Sequence, residues 1–266
     1  MRPQVLRHFG FETAPFTKDI DDNQLWLPKS KECLVDGLLE ALEARESILL
    51  TGEPGAGKTS VLRALRHRME QKSFRSTYCS NVTLGRRDFY RQLCVVLGLT
   101  PRITAAAVFQ AVRVNIEELA SEKLHPVLFL DEAHLMHQDV LDHLHILMNF
   151  DWDRKPLLSV VLIGLPDLRD RLRLRRNRSL YSRIVHRMEV ESLSFEDTEE
   201  YIKMRLKLVG CDRDLFTAEA IALLHEASHG SLRDLDRLAR HGLRRAFRAK
   251  KRLIEVHHLE DGLEED

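Results

Sequence analysis

The chain has 266 residues, 44% hydrophobic and 31% charged, so it can bury a core and is not a disordered tail. That length fits one large domain, or one core with a small appendage. Lys and Arg number 41 and Asp and Glu also 41, so net charge is zero and any basic surface must be local. Cys33, Cys79, Cys94 and Cys211 form no C-x-x-C pair, which argues against a zinc ribbon or a disulfide scaffold and fits a reducing compartment. The N-terminal stretch MRPQVLRHFGFE lacks the apolar core of a signal peptide. The longest apolar run, Leu157 to Pro166, is far short of the roughly 20 residues a membrane helix needs. The expectation is a soluble, cytoplasmic protein without a membrane partner.

Residues 1–30 read as an irregular lead-in that packs Phe9, Phe11, Phe16 and Trp26 onto the core. Residues 31–45 place Leu34, Leu38, Leu39 and Leu42 on one helical face. Next come a short apolar run at 47–51, a glycine loop and a helical stretch at 61–70, the opening of an α/β unit. Further strand-like runs lie at 76–82, 126–131, 157–164 and 187–193, separated by helical stretches at 86–97, 105–120 and 138–149. Five near-continuous apolar strands alternating with helices predict a buried parallel sheet. After residue 193 only helices follow. Ser194 and Asp197 form an S-x-x-D cap, and runs at 216–228 and 232–249 are split by His229-Gly230. The expected organisation is a lead-in over 1–30, an α/β nucleotide-binding domain over 31–193 and a small all-α domain over 194–266.

The strongest chemical signal is Gly52-Glu53-Pro54-Gly55-Ala56-Gly57-Lys58-Thr59, followed by Ser60. It matches G-x-x-x-x-G-K-[ST] between a predicted strand and a predicted helix. Glycines let backbone N–H groups turn inward around phosphate oxygens, and the helix N-terminus adds favourable partial charge. Lys58 can reach the β- and γ-phosphates of ATP, and the Thr59 hydroxyl can ligate Mg²⁺. The alternative is an accidental glycine turn beside a lysine. A second signal tests the first: Val127 to Leu130 form an apolar strand that ends in Asp131-Glu132. Asp131 can hold Mg²⁺ through its water shell, and Glu132 can polarise the attacking water. His134 and His137 read as polar residues at a helix start, because no third metal ligand stands near them.

With both motifs in place, the chain resembles the AAA+ ATPases, and within them the ExeA-like branch that includes TnsC- and TniB-type transposition regulators. The similarity runs from about Phe9 to about Leu259. Its matching pieces are F-x-x-x-P-F from Phe11 to Phe16, the glycine loop, LFLDEAH at 128–134 and LMNFDWD at 147–153. VLIGLPDLRDRL at 161–172, RIVHR at 183–187 and SHGSLR at 228–233 complete the set. The resemblance implies a P-loop core with a five-stranded parallel sheet followed by an all-α lid. It implies that Arg183 is the arginine finger that one subunit offers to its neighbour's γ-phosphate, with Arg187 as second candidate. It implies that Arg233 is the sensor-2 arginine of the lid. Each could instead be a basic residue on an exposed helix. One position departs from the pattern. The polar sensor-1 residue usual at the end of the fourth strand is replaced by Leu165, so water positioning must come from elsewhere, such as Asn149, and hydrolysis is expected to be slow.

Basic side chains concentrate at 169–187 and 233–252, with a smaller set at Lys72, Arg75, Arg86, Arg87 and Arg102. The first group reads as subunit interface. Family DNA contacts come from segments after the second strand, which points to Arg86, Arg87, Arg102 and Thr104. Binding would be independent of sequence, as no separate recognition helix is evident. The resemblance thus implies an ATP- and Mg²⁺-dependent ATPase used as a switch. It would assemble as a ring or helical filament on duplex DNA, recruit a transposase, respond to a target selector and disassemble on hydrolysis. Two rivals are an ATPase of secretion-apparatus assembly and a DNA-replication initiator or loader. The first would normally carry a membrane span and a wall-binding module after the ATPase, the second a sequence-reading domain after the lid. The chain up to Asp266 shows neither.

Overall fold

The computed structural model describes residues 1–69 and 73–260. Glu70 of the predicted helical stretch at 61–70, Lys72 of the smaller basic set and the last six residues of the predicted helical domain lie outside the described residues. The chain divides into two compact units. One holds Met1–Pro28, Pro54–Gly57 and Glu191–Asp266, and the other holds Lys29–Glu53 and Lys58–Val190. In the helical unit, α1 spans Pro3–Phe9.

The α/β unit runs α2 (Lys29–Glu43), β1 (Ser47–Thr51), α3 (Lys58–Met69), β2 (Phe74–Cys79), α4 (Arg86–Val96), α5 (Ala105–Ser121) and β3 (His125–Leu130). It continues with α6 (Gln138–Leu147), β4 (Ser159–Gly164), α7 (Asp167–Arg173), α8 (Arg178–Tyr181) and β5 (Ile184–Glu189). Its five strands are all parallel, in the order β2-β3-β4-β1-β5. The three inner strands β1, β3 and β4 are buried along their whole length. That burial is why they read as unbroken apolar runs, whereas edge strand β2 alternates. Leu49, Leu128, Leu130, Val160 and Leu162 join α-helical side chains such as Phe89, Leu93, Val112 and Leu144 in one core. The order inserts β4 between the strand that feeds the glycine loop and the strand that ends in Asp131. Three strand C-termini therefore stand side by side, the usual ligand edge of a parallel sheet.

The two largest departures from the sequence reading, at the ends of β2 and β5, have the same reason. β2 stops at Cys79 because its partner β3 stops at Leu130, so residues 80–82 have nothing to pair with. β5 lies at 184–189 instead of 187–193 because β1 offers it register only from Ser47 to Thr51.

The helical unit comprises α1, α9 (Phe195–Lys207), α10 (Ala218–Ser228) and α11 (Leu232–Arg248). Ser194 and Asp197 form the expected reciprocal cap on α9. The lead-in differs from expectation in two ways. Residues 3–9 form a helix with proline in its first turn and Gly10 closing it at φ 80°. Its aromatics join the helical core, not the α/β core: Phe9, Phe11 and Phe16 are buried there with Phe216, Leu224 and Leu238. Arg205 fixes the segment by donating to the Thr17 carbonyl at 2.6 Å. The lead-in phenyl rings thus add large apolar surface to the core built by α9 to α11.

Candidate nucleotide site

The glycine loop leaves β1 at Gly52. A Cβ there would lie 2.6 Å from the Val190 carbonyl oxygen, so only glycine lets the chain turn past that backbone. Gly55 and Gly57 have φ of 82° and 102°, a region that L side chains enter only with strain. Helix α3 begins at Lys58, so the loop runs directly into the N-terminus of a 12-residue helix, whose dipole favours an anion there. Lys58 Nζ donates to the carbonyls of Gly52 at 2.6 Å and Glu53 at 3.0 Å. The ammonium is thus folded over the loop, within reach of anything the loop cradles. Thr59 is exposed in the first turn of α3. Within the helical unit, the loop tip Gly55 accepts a hydrogen bond from Leu232 N at 3.0 Å. A Cβ on Gly55 would meet Ser231 Oγ at 2.1 Å and Arg233 Cβ at 3.3 Å. Arg233 therefore stands in the first turn of α11, directly beside the loop tip. The turn before it needs Gly230, at φ 70°, because a Cβ there would lie 2.3 Å from the Leu193 carbonyl oxygen.

Asp131 is the first residue beyond β3. Its Oδ1 accepts from Glu132 N at 2.9 Å, and its Oδ2 accepts from the Tyr78 hydroxyl. Sequence reasoning missed Tyr78. The signal available was its position near the end of the strand that pairs with β3, in register with Phe129. Burial, the hydrogen bond to Asp131 and the neighbouring acids push the phenol well above its usual range, so Tyr78 remains a donor. Glu132 sits in the left-handed region at φ 53°. Such a conformation costs an acidic residue about 1 kcal/mol or more and recurs where function fixes the backbone. Its carboxylate lies 3.5 Å from His134 Nδ1.

The neighbouring strand β4 ends at Gly164, whose carbonyl accepts from Gly52 N at 3.2 Å. A Cβ on Gly164 would lie 3.2 Å from His134 N and 3.3 Å from His134 Nδ1. The mostly buried His134 ring thus stands between Glu132 and the end of β4, close to where a sensor-1 side chain would project. Leu165 follows without a polar group. Asn149 is otherwise engaged: its Oδ1 accepts from Asp153 N at 3.1 Å and builds the 149–154 turn. His134, read from sequence as a mere helix-start residue, is the polar side chain that the fold brings to Glu132. Among the described residues no group of three or more His, Cys, Asp or Glu gathers as a metal site.

Arg183 precedes β5. Its Nη2 pairs with Asp153 Oδ2 at 2.7 Å and its Nη1 donates to the Ser179 carbonyl at 3.1 Å, while its Nε is buried without a partner. Asp153 belongs to a loop in which Asp151, Trp152 and Asp153 all have positive φ, and Trp152 is 93% exposed. Arg187 is held differently: its guanidinium stacks on Tyr181 at 4.0 Å and donates to the Tyr181 carbonyl at 3.0 Å. Of the residues expected near DNA, Arg86 and Arg87 are exposed at the start of α4, and Arg102 is exposed on the α4–α5 connection. Arg86 and Arg87 stand in the first turn of the 11-residue α4, and Arg102 lies six residues beyond its end at Val96. Thr104 Oγ1 accepts from Ala107 N at 3.2 Å and caps α5.

Comparison with known proteins matches this geometry. Residues 41–172 match the family described as AAA domain. General secretion pathway protein A of Aeromonas hydrophila is 31% identical over 242 residues, which cover 90% of this chain and 44% of that protein. The chain thus spans less than half the length of this curated relative. The structure of Cdc6p from Pyrobaculum aerophilum superimposes with a TM-score of 0.68 at 17% identity, covering 88% of this chain and 68% of that one. Drosophila ORC bound to DNA gives a TM-score of 0.70 at 20% identity, covering 98% and 65%. At those identities the two structures speak for the fold, which is the AAA+ P-loop fold with a helical C-terminal part.

Proposed function

We propose that the protein is an ATP-dependent, oligomerising regulator of DNA transposition that assembles on duplex DNA and recruits a transposase. The observation that carries the nucleotide half of this reading is that the glycine loop after β1 and Asp131-Glu132 after β3 leave the same edge of the parallel sheet, with only β4 between them. Gly52 to Ser60 hold the phosphates. Thr59 and Asp131 offer hydroxyl and carboxylate oxygens, hard donors that suit Mg²⁺, which needs few protein ligands when phosphates and water supply the rest. When bound, Mg²⁺ would neutralise charge on the β- and γ-phosphates. Tyr78 and the Glu132 N–H fix the Asp131 carboxylate in place. Glu132 orients and polarises water, with His134 restraining its carboxylate in place of a sensor-1 side chain. Arg183 serves a neighbour's γ-phosphate and Arg233 its own. The missing sensor-1 group makes turnover slow, as befits a timing switch in which hydrolysis dismantles the assembly.

The DNA half rests on the resemblance of the sequence to TnsC- and TniB-type regulators and on the fold likeness to a structure described as bound to DNA. Arg86 and Arg87 at one end of α4, with Arg102 and Thr104 beyond the other, would meet separate phosphates of a duplex. Polarisation titrations of labelled duplex with ATP, ADP or no nucleotide test it. Tight ATP-dependent binding that ignores sequence supports the reading. Tight binding to one sequence without nucleotide favours an initiator.

A second reading is favoured by one observation, the 31% identity to general secretion pathway protein A. On that reading the same ATPase unit serves assembly of a secretion apparatus. Absence of DNA binding under every nucleotide condition would select it.

A further inference from the structure

The net charge of zero conceals a basic stretch within the helical unit. Eight Lys or Arg and no Asp or Glu lie between Asp236 and Glu255. The apolar face of α11 is spent on the core, where Leu235, Leu238, Ala239, Leu243 and Ala246 are buried. Its outer face carries Arg244 and Arg248, one turn apart and both exposed, and the chain beyond adds exposed Lys250, Lys251 and Arg252. Among the described residues none of these five forms an ion pair, although arginines elsewhere do, such as Arg68 with Asp36, Arg176 with Asp142 and Arg183 with Asp153. The position is built. His8 Nε2 bonds the Lys251 carbonyl at 2.8 Å and its ring meets Phe247 edge-on at 5.4 Å, which sets α1, with exposed Arg2 and Arg7, against this end of α11.

We propose that this face, centred on Arg244, Arg248 and Lys251, is a docking surface for the phosphate backbone of duplex nucleic acid, separate from the α4 contacts. Cations left unpaired in a charge-balanced protein repel one another, and a polyanion removes that cost by replacing its own counterions. Arg244 and Arg248 stand about 6 Å apart along the helix. Phosphates of one strand recur every 3.4 Å or so along the duplex axis, so the pair can span neighbouring or next-neighbouring phosphates. Among the described residues Leu253 is the one large apolar side chain exposed on this stretch of chain. That is too little apolar surface for insertion into a lipid interface, which favours a duplex over an anionic membrane. The inference shares with the proposed function only the choice of duplex DNA as ligand. It needs neither ATP nor assembly.

The test is polarisation of a labelled 12-base-pair duplex without nucleotide, from 50 to 200 mM salt. The parent should bind weakly. A variant with Arg244→Gln, Arg248→Gln and Lys251→Gln should bind about ten-fold or more weakly at the low end, with a log–log salt slope shallower by about 2 to 3. Arg244→Lys with Arg248→Lys should bind like the parent, which separates charge from folding. The Gln variant should melt like the parent because all three sites are exposed. Unchanged affinity and slope in the Gln variant overturn the inference. If Arg86→Glu, Arg87→Glu and Arg102→Glu meanwhile abolish ATP-dependent binding, the proposed function stands without it. Binding of the parent to phosphatidylserine vesicles but not to duplex also overturns it, in favour of a membrane surface.

Discussion

Asp153→Asn probes whether Arg183 is held in reserve. In the isolated chain the Arg183 guanidinium is paired with Asp153 at 2.7 Å, with side chains 23% and 54% exposed. A pair so open to solvent contributes about 0.2 to 1 kcal/mol. A finger that works in trans must give up this pair before it can face a neighbour's nucleotide. Replacing the carboxylate by an amide removes that cost and keeps the backbone bond from Asp153 N to Asn149. Apparent ATP-dependent assembly should therefore tighten by about 1.5- to 5-fold, the same energy expressed as an equilibrium constant. Arg183→Ala should do the opposite: nucleotide binding to the subunit persists, assembly weakens, and turnover falls by about three orders of magnitude or more if the finger is typical. Trp152 supplies the assay, since it is almost wholly exposed on the same loop. In a Trp26→Phe background its emission reports burial of that loop while light scattering reports size. Weaker assembly in Asp153→Asn, or normal assembly and turnover in Arg183→Ala, would refute the reasoning and move attention to Arg187.

Lys58→Ala should abolish nucleotide binding by calorimetry, and Glu132→Gln should bind ATP without hydrolysing it. His134→Ala should lower turnover roughly ten-fold with ATP affinity nearly unchanged, since the ring touches Glu132 and not the loop; equal turnover would return His134 to a packing role. Gly55→Ala should destabilise the protein by about 1 to 3 kcal/mol in calorimetric melting, because a Cβ at φ 82° is both strained and overlaps Ser231 Oγ. Burial, with the Arg45 charge secondary, lowers the His125 pKa from 6.5 to about 4. The unfolded chain thus takes up the proton first, and stability falls as pH drops from 6.5 toward 4. Urea melts across that window should show the slope, and His125→Asn should flatten it.

The α/β unit was legible because its signals are local. β1, β3 and β4 are buried on both faces and so are written as plain apolar runs, and the loop at 52–59 needs glycine at positions fixed by backbone geometry. The acids at the end of β3 follow from the strand alone. What stayed hidden depends on residues far apart in sequence. Tyr78 meets Asp131 only because β2 pairs with β3. His134 reaches Glu132 only because the 3₁₀ turn at 133–135 folds back past Gly164. The lead-in was misplaced because aromatic side chains announce burial without naming the core that receives them. Strand ends were misjudged at β2 and β5 because pairing partners, not the strands' own residues, set them.

The central claim is that ATP, held by this loop and these acids, drives subunits together on duplex DNA. Sedimentation of Glu132→Gln with labelled duplex, with and without ATP, tests it most directly. A variant that binds but cannot hydrolyse ATP should form a stable multi-subunit complex on DNA with ATP, and none without it. If that variant binds ATP yet sediments as a single subunit free of the duplex, the account is contradicted.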